Sequence, residues 1–90
     1  MLKPVRTKKF DKSIALCKKR GYDMDLLKEV VKLLLEEKPL PERCCVHKLH
    51  GDLADCWDCH IKSDWVLIYR YDYPARKLIF EDTGTHSDLF

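Results

Sequence analysis

The spacing of apolar positions changes part-way along the chain, from a helical period before Pro41 to a two-residue alternation after it. Leu2 to Arg6 reads as a short opening strand. Thr7 is placed to cap a helix running to about Arg20, because Phe10, Ile14 and Cys17 recur at i, i+4 and i+7. Gly21 ends that helix and Asp23 caps the next, from about Met24 to Glu37. Leu27, Val30, Val31, Leu34 and Leu35 form its apolar stripe, broadened by Leu26 and Leu33. Pro39 and Pro41 stop it, and the short link predicts two antiparallel helices packed as a hairpin. Residues 42–53 read as loop. From Ala54 to Ile61 the pattern alternates, with Trp57, Cys59 and Ile61 on one side and Cys56, Asp58 and His60 on the other. A tight turn at Lys62-Ser63 leads to the strongest strand, Trp65 to Tyr71, rich in β-branched and aromatic residues. Asp72 to Arg76 reads as a hairpin loop, Lys77 to Thr83 as the closing strand, and Gly84 as a turn. The order β-α-α-β-β-β predicts one α+β domain over residues 1–90, a mostly antiparallel sheet with two helices on one face.

Ninety residues allow a single core, and the 36% of charged residues suits a small domain with much surface. No apolar run approaches the roughly 18 residues of a membrane-spanning helix. Met1 to Arg6 lacks the apolar stretch of a secretory signal, so a cytoplasmic location without membrane contact is expected. The five cysteines are an odd number and two of them, Cys44 and Cys45, are adjacent, which argues for reduced thiols rather than a disulfide framework. The net charge is only +2, yet residues 1–20 carry Lys3, Arg6, Lys8, Lys9, Lys12, Lys18, Lys19 and Arg20 against the lone Asp11. Such a field can hold a polyanion or an acidic protein, or it can be a solvated helix face.

All four histidines, His47, His50, His60 and His86, lie in the second half. Cys56-Trp57-Asp58-Cys59-His60 spells the C-x-x-C-H of haem attachment, but strand geometry sends positions 56 and 59 to opposite faces. Cys44, Cys45, His47, His50, Cys56, Cys59 and His60 would suffice for zinc, but paired C-x-x-C knuckles are missing and the apolar core needs no metal. No cofactor or metal is therefore expected. The third grouping is Asp58 and His60 on one strand face, Asp64 just past the turn, His47 in the preceding loop and His86 after the last strand. Carboxylates beside imidazoles orient them for proton transfer near neutral pH.

H-x-L-x-G (His47, Leu49, Gly51), D-x-H-I-x-x-D-W-x-L-I-Y (Asp58 to Tyr69) and T-G-T-H-x-x-L-F (Thr83 to Phe90) resemble the YafQ branch of the RelE/ParE toxin superfamily, over essentially the whole chain. The resemblance implies the fold just read and a metal-independent endoribonuclease that cuts messenger RNA on the ribosome. It implies as partner a cognate antitoxin of the DinJ or RelB type, which neutralises the toxin and represses their shared operon, so that operator DNA is met only through the complex. Carried across by position, the active-site residues are His47, Asp58, His60, Asp64, His86 and Phe90, and His50 is not among them. His60 and His86 are the expected proton-transfer pair, with His47 as a third candidate or a phosphate contact. Asp64 would orient one of them and Phe90 would stack on a base. Lys8, Lys9, Lys12, Lys18, Lys19, Lys48, Lys62 and Arg70 are the expected contacts to RNA or ribosome.

Relatives commonly carry arginine where this chain has Trp57 and Asp82. Loss of that charge should slow cleavage unless Arg70, Lys48 or Lys62 substitutes. The alternative is a non-catalytic binder of the same fold, either a ParE-like gyrase inhibitor or an antitoxin-bound co-repressor.

Overall fold

A computed structural model describes residues 1–90, in the order β1 (Lys3–Arg6), α1 (Lys8–Lys19), α2 (Met24–Leu35), β2 (His47–Lys48), β3 (Trp57–Lys62), β4 (Trp65–Asp72), β5 (Lys77–Gly84) and α3 (His86–Leu89). The strands form one sheet in the order β1-β5-β4-β3-β2. Only the β1–β5 pair is parallel. The chain is α+β, with a five-stranded, mostly antiparallel sheet.

The local signals act as the sequence suggests. The Thr7 hydroxyl accepts from the Phe10 amide, and the Asp23 carboxylate accepts from the Asp25 amide. Gly21 turns the chain out of α1 with φ of +78°. Phe10 and Cys17 of α1 and Leu27, Val30 and Leu34 of α2 meet Cys59, Ile61, Trp65, Leu67, Tyr69, Leu78 and Phe80 of the sheet in one core. Burying each such large apolar side chain contributes about 1.5–3 kcal/mol relative to exposure. α1 lies along β5 and α2 over β3. The hairpin is thus held chiefly by the sheet, and a groove of about 650 Å³ runs between the helices.

β1 covers only half of the β5 edge, its last pair being Arg6 with Phe80. From there α1 takes over. The Thr7 amide and hydroxyl donate to the carbonyls of Phe80 and Glu81, so the edge is not left as an open template.

Several boundaries differ from the sequence expectation. Residues 42–53 are not all loop: Glu42–Cys44 and Gly51–Leu53 make single 3-10 turns, and His47–Lys48 pairs with β3 as a fifth strand. A two-residue strand has no periodicity to read. β3 starts at Trp57 rather than Ala54, because Leu53 to Cys56 closes a turn in which the Cys56 amide donates to the Leu53 carbonyl. Lys62 still pairs, with Trp65, so the tight turn is Ser63-Asp64; likewise β4 extends through Asp72 and β5 through Gly84. Finally, the C-terminus forms a helical turn, α3. There the Thr85 hydroxyl accepts from the Asp88 amide while the Asp88 carboxylate accepts from the Thr85 amide.

Candidate active site

Cys59 and Ile61 point into the helix-side core, so Asp58 and His60 share the opposite face of β3. Asp58 pairs across the sheet with Ile68, and His60 with Val66, both buried. The polar groups therefore stand on an apolar floor, where electrostatic interactions are stronger than in bulk water. Directly after His60 the β3–β4 register slips, leaving Ile61 unpaired. Bulges of this kind re-aim neighbouring side chains.

Ser63 adopts a left-handed conformation, φ +48°, and its carbonyl lies 2.9 Å from His60 Nδ1. A carbonyl can only accept, so Nδ1 carries the proton and Nε2 of the neutral ring is a free base. The next residue, Asp64, holds His86: its Oδ1 accepts from the ring Nδ1 at 2.6 Å and from the His86 amide at 3.3 Å. These bonds to His86 hold the Asp64 carboxyl below its ordinary pKa of 3.8. The His60 and His86 rings lie 5.3 Å apart between centroids, tilted by 49°. Phe90, 63% exposed, stands 6.1 Å beyond His86, as a free aromatic face at the rim.

His47 and Asp58 are cross-strand partners in β2 and β3. His47 Nδ1 lies 3.6 Å from Asp58 Oδ1, which is buried and has no hydrogen-bond partner. The structure thus gathers His60, Asp64, His86 and Phe90 tightly, and adds His47 with Asp58 along the same strand face. His50 stands apart, exposed at the start of the 3-10 turn at Gly51.

The expected basic contacts divide. Lys8, Lys12, Lys18, Lys19 and Lys62 are exposed on α1 and beside the Ser63 turn. Lys9 lies 3.6 Å from Asp82, and the Lys48 ammonium lies over the Trp57 ring at 5.9 Å. Arg70 departs most from its expected part, because its Nε is bound to Glu81 at 2.7 Å and its charge is already engaged. Trp57 packs against the helix-side core. Asp82 is buried and accepts from the Ser13 hydroxyl and the Thr83 amide, so it anchors α1 to β5.

Sequence reasoning missed the supports. The Trp65 indole donates to the Thr83 hydroxyl at 2.9 Å, which in turn donates to the Val66 carbonyl at 2.7 Å; this buried chain fixes the exit of β5 toward His86. The Ser63 carbonyl leaves no sequence trace. The cap at Thr85-x-x-Asp88 does, as a [ST]-x-x-[DE] pattern, although no long apolar run follows it.

Residues 2–90 match the family model of the bacterial toxin of type II toxin–antitoxin system, YafQ. The chain belongs to the YafQ toxin family. It is 39% identical over 82 residues to the mRNA interferase toxin YafQ of Escherichia coli K12, covering 90% of this chain and 87% of that protein. Among solved structures, a metal-bound toxin from Helicobacter pylori aligns over the whole of both chains, with 39% identity and a TM-score of 0.95. YafQ in the E. coli DinJ-YafQ toxin–antitoxin complex aligns over 100% of this chain and 99% of that one, with 35% identity and a TM-score of 0.87. Although the H. pylori relative is metal-bound, the present side chains bring no three His, Cys, Asp or Glu donors together around a common point. Cys59 lies in the helix-side core, whereas Cys56 is in the turn before β3, buried outside that core.

Proposed function

We propose that this YafQ-family toxin is an mRNA endoribonuclease that acts on the ribosome in the cytoplasm by histidine acid–base chemistry. The observation that carries this reading is the His60–His86 pair, with ring centroids 5.3 Å apart and each ring tied at Nδ1 so that Nε2 is presented. His60, bonded to a neutral carbonyl, serves as the base that removes the 2′-OH proton. The 2′-oxygen then attacks phosphorus and the P–O5′ bond breaks. His86, whose partner is a carboxylate able to balance an imidazolium, gives its proton to O5′. The products are a 2′,3′-cyclic phosphate and a 5′-hydroxyl. Exposed Phe90 stacks on a base, and His47 and Lys62 supply positive charge to the phosphate. With Trp57 and Asp82 in place of arginines and Arg70 held by Glu81, the charge is thin and turnover is slow. Lys8, Lys12, Lys18 and Lys19 face ribosomal RNA, so association weakens steeply with salt.

A cognate antitoxin of the DinJ or RelB type is the partner, and operator DNA is reached through that complex. The groove between α1 and α2 suits it, with Phe10, Ile14, Leu27 and Val31 as an apolar floor and Arg6, Lys18, Lys28 and Lys32 around it. An acidic amphipathic segment matches both features.

Mapping transcript ends after a pulse of expression tests the activity. New 5′-hydroxyl ends inside reading frames, absent with His60→Ala and His86→Ala, are expected. The thin cationic complement favours one rival, a non-catalytic gyrase inhibitor or co-repressor of the same fold. Gyrase–DNA cleavage complexes with intact messages, or growth arrest undiminished in both histidine variants, would replace the nuclease assignment.

A further inference from the structure

The C-terminal turn that carries His86 and Phe90 is a single helical turn, too short to hold its shape by its own hydrogen bonds. It is tied to the body at two places. Asp64 holds His86, as described. The second tie comes from the far end of α1, where Arg20 reaches across to Asp88: Nη1 donates to Oδ2 at 2.6 Å and Nη2 to Oδ1 at 3.3 Å. The same Oδ2 accepts from the Thr85 amide at 2.9 Å, and the Asp88 amide donates to the Thr85 hydroxyl at 3.1 Å. One carboxylate therefore closes the helical cap and anchors it to another element. Gly84 leaves room for it, since a Cβ at that position would fall 2.9 Å from Asp88 Oδ2. The Phe90 amide donates to the His86 carbonyl, so the order of the turn passes directly to the aromatic ring at the rim.

We infer that Arg20 and Asp88 act as a latch whose task is to position His86 and Phe90, an inference resting on the ribonuclease reading for its catalytic consequence. Neither residue touches substrate in this scheme; both are positioning residues. A forked guanidinium–carboxylate pair fixes orientation in a way that a lysine, as a point charge, cannot reproduce. Both side chains are about one-third exposed. The pair should thus matter little to global stability and much to the placement of the last five residues.

The test compares wild type with Arg20→Gln, Arg20→Lys and Asp88→Asn, each purified from its antitoxin complex. Backbone 15N relaxation should show residues 87–90 mobile on the picosecond–nanosecond scale in Arg20→Gln and Asp88→Asn, with thermal midpoints nearly unchanged. In the same variants the His86 ring 15N signals should shift as its bond to Asp64 loosens, while those of His47 stay fixed. Single-turnover cleavage of ribosome-bound messenger RNA should fall between about ten- and a hundredfold, and Arg20→Lys should recover only part of it. A C-terminus as ordered in Arg20→Gln and Asp88→Asn as in wild type overturns the latch. Loss of order with undiminished cleavage overturns its positioning role. Should the wild type cleave no message, the ribonuclease reading fails, and the relaxation and ring signals alone decide whether the latch exists.

Discussion

His60 and His86 come from β3 and from the turn after β5, yet their rings lie 5.3 Å apart, joined by the two consecutive residues Ser63 and Asp64 that bond one ring each. A single turn thus sets the tautomer of both. Replacing either histidine with glutamine should lower cleavage by about 10²–10⁴-fold, and the double variant should lose far less than the product of the two. Quenched-flow assays on programmed ribosomes measure this. Losses below threefold would show that neither ring moves a proton in the rate-limiting step.

The groove between α1 and α2 is on the helix face of the sheet, away from the strand face that carries His60. Surface and chemistry should therefore separate by mutation. Ile14→Glu or Val31→Glu places a carboxylate among the apolar groove residues and should weaken antitoxin binding by at least about tenfold, since a charge facing an apolar partner goes unpaired. Ribonuclease activity of the free toxin should stay within twofold. Calorimetry with the purified antitoxin reads the first quantity. Unaltered affinity in both variants would move the antitoxin to another surface.

Acid should loosen the C-terminal turn before it unfolds the core. The carboxyls of Asp64 and Asp88 are both held below the ordinary 3.8, Asp64 by its hydrogen bonds to His86 and Asp88 chiefly by its bond to Arg20. A group with a depressed folded pKa binds protons more weakly when folded. Its stabilisation is complete above the unfolded pKa and is lost as pH falls through 3.8 toward the lower folded value. The order of residues 87–90, read by backbone 15N relaxation, should therefore separate wild type from the Asp64→Asn/Asp88→Asn variant above about pH 5, and the two should converge below about pH 4. Because both groups are exposed, high salt should shrink the difference. Wild-type order unchanged down to about pH 2 would show that the two carboxylates do not hold the turn.

The elements that could be read from sequence are those long enough to show a period or marked by a cap. α1 and α2 announced themselves through Thr7, Gly21 and Asp23, and β4 through its run of Trp65 to Tyr71. The alternation in β3 separates Cys59 and Ile61 from Asp58 and His60, which is why the two faces were legible in the sequence. β2 was not legible: two residues carry no pattern, and His47 and Lys48 join the sheet only through backbone pairing with Asp58 and Trp57. Nor could sequence show that Glu81 neutralises Arg70, or that Asp82 turns to Ser13, because such pairings are decided by which neighbours are nearest in the fold. The part played by Ser63 was invisible for another reason, since a carbonyl oxygen is common to every residue and only the backbone angle aims it.

Asp58 is the place where stability and chemistry should oppose each other. It is 6% exposed, it stands beside buried Ile68, and its Oδ1 accepts no hydrogen bond, with the His47 ring 3.6 Å away as its nearest charge partner. An unsatisfied buried acceptor costs about 1–3 kcal/mol, and such costs persist where function needs the group. Asp58→Val, matched to strand geometry and to the apolar floor, should raise unfolding stability by about 1–2 kcal/mol on that account. His47 is exposed, so losing its partner should cost it little in Asp58→Val, whereas His47→Ala leaves the buried carboxylate without its charge partner and should lower the denaturation midpoint. Cleavage should fall in both variants, because the positive charge proposed for His47 at the phosphate is either removed or no longer oriented. Urea titration of the two proteins gives the stabilities directly. A less stable Asp58→Val would mean that the carboxylate is structural, held by the fold for packing rather than for the reaction.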